Sequence, residues 1–283
     1  SPAILTLFKL IPRRALRQQG AERVSMFIAP AYKGFMKNPK SILITGGSSG
    51  IGEALALHYA GPGVFLALSG WNDDRLQAVA ERCRGRGADV MAQTVDVTDR
   101  DAMRAWMERI DDDHSLDLVI ANAGIGNDGM GEKATRDTFA VNMAGVLNTI
   151  FPVIDRMVRR GYGQFGLMSS LSGYVAMPGV PAYSASKVMV KAYGEALHGR
   201  LKSDGIGVSV ICPGFVESRI TAKNKFKMPM LMKPDKAARI IARGLARNKI
   251  IIAFPLPMAT LFRILKILPA GLASRLQSRL PSK

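Results

Sequence analysis

The chain has 283 residues, 48% of them hydrophobic, with two Cys, three His and a formal net charge of +17. The apolar share supports a packed core and excludes global disorder; Cys83 and Cys212 cannot make a disulfide framework, and no Cys/His cluster has zinc spacing, so no metal is expected. The charge sits at the ends, +7 over residues 1–40 and +14 over 219–283, around a body (41–218) of −4. That body gives no reason to expect nucleic acid, whereas the basic ends raise a membrane-surface question.

In chain order, residues 1–39 read as a basic extension. Ala3–Ile11 is apolar but is interrupted by Lys9 and followed by Pro12-Arg13-Arg14. No small-residue cleavage site follows it, so a secretory signal is not expected, while the Arg-rich, acid-poor start keeps a transit peptide open. Met36 offers an internal start, which would leave residues 1–35 peripheral to the fold. Ser41–Thr45 then reads as a buried strand closed by Gly46-Gly47, and a helix over Gly50–Ala60 ends at Gly61-Pro62-Gly63. A strand at Val64–Ser69 precedes a helix capped by Asn72 and running to Arg84, with Asp73 and Asp74 in its first turn. A strand at Val90–Val95, a helix at Thr98–Ile110, a strand at Leu116–Ala121 and a long helix at Thr135–Arg159 follow. Next come a strand at Gln164–Ser169, a Gly/Pro loop, a helix at Ala182–Ser203 and a strand at Gly207–Ile211.

The strands are unbroken apolar runs separated by helices, which predicts an α/β fold with a parallel sheet covered on both faces. Right-handed crossovers make it doubly wound, a Rossmann fold. We expect one domain over 40–253, with basic amphipathic extensions at 1–39 and 254–283. The longest apolar stretch, Ile250–Leu268, contains Pro255, Pro257, Arg263 and Lys266, so no transmembrane span is expected.

Residues 45–52, Thr-Gly-Gly-Ser-Ser-Gly-Ile-Gly, lie where a strand passes into a helix. Gly46 permits the tight turn, Gly50 lets backbone approach a pyrophosphate, and Gly52 lets the helix pack close to the sheet. The helix N-terminus supplies free N–H groups for phosphate, so Gly46, Ser48, Ser49, Gly50, Ile51 and Gly52 are candidate cofactor contacts. Tyr183 and Lys187 form YxxxK on one helix face. A phenol's ordinary pKa, about 10, is too high for efficient proton transfer, and a nearby ammonium lowers it. Ser170 lies thirteen residues upstream, past a strand end, where a hydroxyl can bond a substrate oxygen; Ser169 is the competitor.

The glycine spacing TGxxxGxG, together with these residues, resembles the short-chain dehydrogenase/reductase family over residues 40–253. The resemblance implies carbonyl–alcohol interconversion by hydride transfer, and it selects Ser170 over Ser169. It implies that Tyr183 handles the proton, Lys187 lowers its pKa and holds the nicotinamide ribose, and Asn142 holds a water linked to Lys187. It also implies cofactor contacts from Asn122-Ala123-Gly124, from Asp96-Val97 near adenine, and from Pro213, Gly214 and Val216 near the carboxamide. Where the family expects Thr after that loop, this chain has Ser218.

NAD-type members carry Asp where this chain has Gly70, and NADP-type members often carry Arg where it has Trp71; Ser49 is not basic either. The missing acid favours NADP, with NAD the alternative. Trp71 is placed near adenine or, alternatively, in surface packing. Met258, Leu261, Phe262, Leu265 and Leu268 share one helix face, and Ile4, Leu7, Phe8 and Ile11 make a similar stripe. Such helices cover a substrate pocket or a subunit interface or, alternatively, rest on an anionic membrane. With the apolar segment Met228–Met232 at the family's substrate lid, we expect a lipophilic carbonyl substrate, 3-oxoacyl or ketosphinganine-like, and a homo-oligomer. The expected location is cytoplasmic, with peripheral membrane association open. The competing function is a membrane-associated, cofactor-binding scaffold or sensor with vestigial catalysis.

Overall fold

The computed structural model describes residues 36–126, 131–223 and 228–268. Its strands are β1 (Ser41–Ile44), β2 (Phe65–Ser69), β3 (Asp89–Gln93), β4 (Leu118–Ala121), β5 (Gly163–Met168), β6 (Ile206–Pro213) and β7 (Ile251–Phe254). Its helices are α1 (Gly50–Tyr59), α2 (Asp73–Arg84), α3 (Arg100–His114), α4 (Glu132–Phe139), α5 (Gly145–Arg160), α6 (Pro181–Leu201), α7 (Pro234–Leu245) and α8 (Leu256–Ile267). The strands form one parallel sheet in the order β3-β2-β1-β4-β5-β6-β7. Ile44 of β1 pairs with Leu68 on one side and Ile120 on the other. The winding reverses between β1 and β4, and a crevice opens there at the carboxyl ends of the strands.

Successive side chains of each strand enter opposite faces of the sheet, and along β1, β2, β4, β5 and β6 both faces are dry. Ile42 and Ile44 pack with Leu55 of α1, Leu76 of α2 and Ile241 of α7. Leu43 packs instead with Met103 and Trp106 of α3, Val153 of α5 and Val190 of α6. Parallel strands buried on both sides therefore read as continuous apolar runs.

Several sequence expectations shift. The predicted helix over Thr135–Arg159 is interrupted by a π turn at Ala140–Ala144, in which the Gly145 N–H donates to Ala140 O. The run Glu132–Arg160 is long and apolar enough to cross a membrane, but half of its most apolar window is buried; Val146, Ile150, Val153 and Met157 make it a core helix. Helix α3 continues through Asp111–Asp113 to His114, although acids disfavour a helix C-terminus. Asp111 is buried there because Arg156 Nε and Arg160 Nη1 each donate to it at 2.7 Å and the Leu116 N–H at 2.9 Å. Burial pushes its carboxyl up, but these bonds outweigh burial and hold it below the ordinary range.

The packed body also reaches past 40–253. Met36, counted above with the N-terminal extension, is 4% exposed and joins the core. On α8, Met258 and Leu265 are buried and Phe262 half-buried, with Leu268 just past its end, against Leu171, Tyr174 and Cys212, whereas Leu261 faces outward. The Ile4–Ile11 stripe lies outside the described residues.

Candidate active site

A cleft of about 390 Å³ opens at the β1/β4 crevice. Every residue assigned above to cofactor or catalysis lines it except Gly52 and Asn142. Its phosphate end is the turn between β1 and α1. Gly46 (φ +68°) and Gly50 (φ +59°) take left-handed backbone that a side chain would strain. A Cβ on Gly52 would lie 2.1 Å from Gly46 O, so Gly52 shapes the turn from beneath. The Ser49 side chain makes no capping bond, which leaves the first-turn N–H groups of α1 to an anion. Asn122 fixes the turn: its Nδ2 donates to Thr45 O at 2.9 Å and Gly46 O at 3.1 Å. Thr45 Oγ1 in turn accepts from the Asn122 and Ala123 N–H groups. These donors and glycines fit a dinucleotide pyrophosphate.

Farther along, Asp96 is held by Thr98, whose N–H and hydroxyl both donate to its Oδ1, at 2.8 and 2.9 Å. Val97 beside it packs on Gly145 of α5. The Ser218 N–H donates to Thr221 Oγ1 at 2.8 Å. Thr221 also lines the cleft and was not singled out in the sequence. A β-hydroxyl therefore stands one turn after the position where the family pattern looks for Thr.

At the other end Ser170, Tyr183 and Lys187 converge. The Ser170 hydroxyl accepts from the Ser172 N–H at 3.1 Å and donates to Pro213 O at 3.5 Å, on the cleft wall that Tyr183 shares. Ser169, its competitor, is committed elsewhere: its Oγ donates to the Lys187 carbonyl at 2.8 Å. Lys187 Nζ donates to Met168 O at 2.9 Å and stands 5.5 Å from the Tyr183 ring centroid. Asn142 is buried at the π turn, outside the cleft wall. Its amide pairs both ways with Ile125, accepting at 2.8 Å and donating at 2.9 Å, and reaches Ser186 Oγ at 3.2 Å. The π turn presents this amide, as such turns do near functional sites. Gly124 lies close between it and Lys187: a Cβ there would press on Asn142 Oδ1 at 3.1 Å and touch Lys187 Nζ at 3.4 Å.

One electrostatic expectation needs correction. Lys187 was expected to pull the Tyr183 phenol down, yet burial pushes the phenol above its ordinary value against the pull of Ser170. Burial also lowers Lys187 to about 8. For the phenol, desolvation outweighs the opposing pull of Ser170. Cys212 behind it is pushed up to about 12 by burial and is no nucleophile.

The short chain dehydrogenase family model matches residues 40–228. An uncharacterized oxidoreductase of Myxococcus xanthus is 35% identical over 246 residues, covering 85% of this chain and 97% of the relative. A 3-oxoacyl-[acyl-carrier-protein] reductase of Staphylococcus aureus is 34% identical over 192 residues, 66% of this chain and 78% of its own. A short-chain dehydrogenase from Sphingobium yanoikuyae, solved in complex with NADPH, superposes with a TM-score of 0.73 at 26% identity, covering 85% of this chain and 96% of that one. On this match the chain belongs to the short-chain dehydrogenase family as a nicotinamide-dependent oxidoreductase.

Proposed function

We propose that the chain reduces a lipophilic ketone with NADPH, or oxidises the matching alcohol. The observation that carries this reading is the convergence of Ser170, Tyr183 and Lys187 in one cleft with the glycine turn. The bound nicotinamide supplies the hydride in reduction and accepts it in oxidation. Ser170 and Tyr183 orient the substrate oxygen between their hydroxyls. A phenol raised by burial is protonated at neutral pH, the form reduction needs, and Tyr183 donates that proton to the oxygen as charge develops there. Lys187, mostly charged below its value of about 8, stabilises the phenolate left behind and holds the nicotinamide ribose. Asn142 fixes the Ile125 segment and Ser186 beside Lys187, and so holds the relay in register. Gly46–Gly52, Asn122–Gly124, Asp96, Val97, Trp71 and the Pro213–Ser218 loop hold the dinucleotide.

The lipophilic substrate is supported by the 3-oxoacyl reductase relative and by Ile220 at the cleft mouth, followed by exposed Met230 and Leu231. Helix α8 supports contact with a membrane surface: Leu256, Leu261, Ile264 and Ile267 face outward, beside exposed Arg263 and Lys266. Outward Phe151 on α5 and Val188 on α6 suit a homo-oligomer.

Turnover of NADPH with a panel of long-chain 3-oxoacyl thioesters and bulky ketones tests the reading. Tyr183→Phe should lower kcat by roughly 10²- to 10⁴-fold while dinucleotide binding stays within about twofold. Full turnover by that variant, or dinucleotide binding with no turnover on any carbonyl by the wild type, would favour the scaffold instead. Pelleting with anionic vesicles, compared between the intact chain and a Leu261→Glu/Ile264→Glu protein, tests the membrane contact; no lipid-dependent pelleting of the intact chain ends it.

A further inference from the structure

Among the described residues, three cations line the cleft: Arg75, Lys187 and Arg219. Lys187 belongs to the proton-transfer end. Arg219 follows Ser218, whose Cβ would lie 3.1 Å from a Cβ on Gly50, so it accompanies the pyrophosphate turn. Arg75 stands elsewhere, in the first turn of α2, where Ser69, Gly70 and Trp71 make the wall beside it.

Arg75 has no evident structural employment. Its Nε is buried and donates to nothing among the described residues. Among the described residues, Asp73 in its own helical turn and Asp96 on the cleft wall bond elsewhere. Asp73 Oδ1 accepts from Gln77 Nε2 at 3.2 Å and Thr94 Oγ1 at 3.1 Å. Asp96 Oδ1 accepts from Thr98, and Asp74 is exposed on α2. A buried guanidinium N–H without an acceptor is costly in a folded protein, and it marks a place made for an anion.

The neighbouring wall excludes the alternative. An acid at the end of β2 would accept from a ribose 2′-hydroxyl and repel a 2′-phosphate. Here that position is Gly70, and a Cβ on it would lie 2.8 Å from both Cβ and Oγ of Ser48. Ser48 is itself part of the glycine turn, so no side chain enters at position 70 without disturbing the pyrophosphate site. The wall is thus closed to an acid and carries an unpaired cation.

We propose that Arg75 binds the 2′-phosphate of the adenosine ribose and makes this chain selective for NADP(H) over NAD(H). The proposal rests on reading the cleft as the dinucleotide site. A guanidinium pairs with a phosphate dianion through two parallel N–H···O bonds, which a ribose hydroxyl cannot match. The basic residue that family resemblance seeks at position 71 or 49 is supplied one helical turn later.

Isothermal titration calorimetry of the full-length protein with NADP⁺, NAD⁺, 2′,5′-ADP and 5′-AMP tests this, on wild type, Arg75→Gln and Arg75→Lys. Wild type should bind NADP⁺ and 2′,5′-ADP more tightly than NAD⁺ and 5′-AMP. Arg75→Gln should weaken the two phosphorylated ligands by roughly 10- to 100-fold, the range of one charge-assisted bond, and leave NAD⁺ nearly unchanged. Retained NAD⁺ binding shows that the variant is folded, and Arg75→Lys should recover part of the preference. Equal loss of NADP⁺ and NAD⁺, no loss of either, or a wild type that prefers NAD⁺ overturns the assignment to Arg75 and leaves the dinucleotide cleft standing. A wild type that binds no ligand of the four overturns the cleft reading as well.

Discussion

A Lys187→Met protein should melt higher than wild type and turn over nothing. Lys187 is 3% exposed, and burial lowers its ammonium from 10.5 to about 8. At about 1.36 kcal/mol per unit, the folded state carries roughly 3 kcal/mol of penalty for holding this charge at neutral pH. Met is nearly isosteric and neutral, and it removes that penalty. It also leaves Met168 O without the 2.9 Å bond from Nζ, a loss of about 1–2 kcal/mol. The net gain is about 1–2 kcal/mol, or roughly 3–6 °C in Tm for a domain of this size. The pH dependence carries the sign. Between about 8 and 10.5 the unfolded chain binds the proton that the folded chain has released, so wild-type stability rises with pH across that window. The advantage of Met is therefore full below pH 8 and shrinks above it. Circular dichroism melts of both proteins, without dinucleotide, at neutral and strongly alkaline pH measure the two gaps. A variant that melts lower than wild type at neutral pH, or a gap that does not change with pH, would refute the reasoning.

Gly52→Ala forces a Cβ to within 2.1 Å of Gly46 O and 2.6 Å of Asn122 Nδ2, so it should abolish dinucleotide binding in calorimetry and lower Tm, in contrast to an alanine at exposed, uncrowded Gly199. Asp111→Asn breaks a carboxylate shared by Arg156 and Arg160 and should cost about 3 kcal/mol in urea denaturation at pH 7. Because that carboxyl is held below its ordinary value, its contribution is lost as pH falls through the folded-state pKa, and the variant and wild type should converge in acid. Reductive kcat/KM should fall as pH rises through about 8, where Lys187 loses its charge, which stopped-flow or steady-state pH profiles would show.

The parts of the molecule that were legible in the sequence are those whose constraint is local. Gly46, Gly50 and Gly52 announce a turn because no other residue tolerates those backbone angles and contacts. Runs such as Phe65–Ser69 announce a strand covered on both faces. Helix α7 escaped notice although Ala237, Ala238, Ile241 and Leu245 carry a helical period, because alanine gives that face little contrast. The short β7 has no flanking glycine turn to mark it. Arg75 was invisible for a different reason: a first-turn arginine on a polar helix is commonplace, and only the wall of Gly70 and the unpaired Nε distinguish it. The direction of the Tyr183 shift was misjudged because spacing reveals the neighbouring charge and not the depth of burial.

The π turn at Ala140–Ala144 sets a condition on chain length. The Gly145 N–H reaches back five residues instead of four, so the run from Glu132 to Arg160 is one residue longer than a regular helix of the same span. Deleting one residue there would restore an unbroken α-helix and keep the buried face of α5 in place. Both flanks would keep their faces, because the wide turn already holds the extra residue without turning one flank against the other, and only the side chains of the turn itself would be reseated. Asn142 would lose Ile125 and Ser186, and with them its place beside Lys187. The helix would gain regularity and the site its disorder, so the extra residue is an insertion that function retains against the preference of the local backbone.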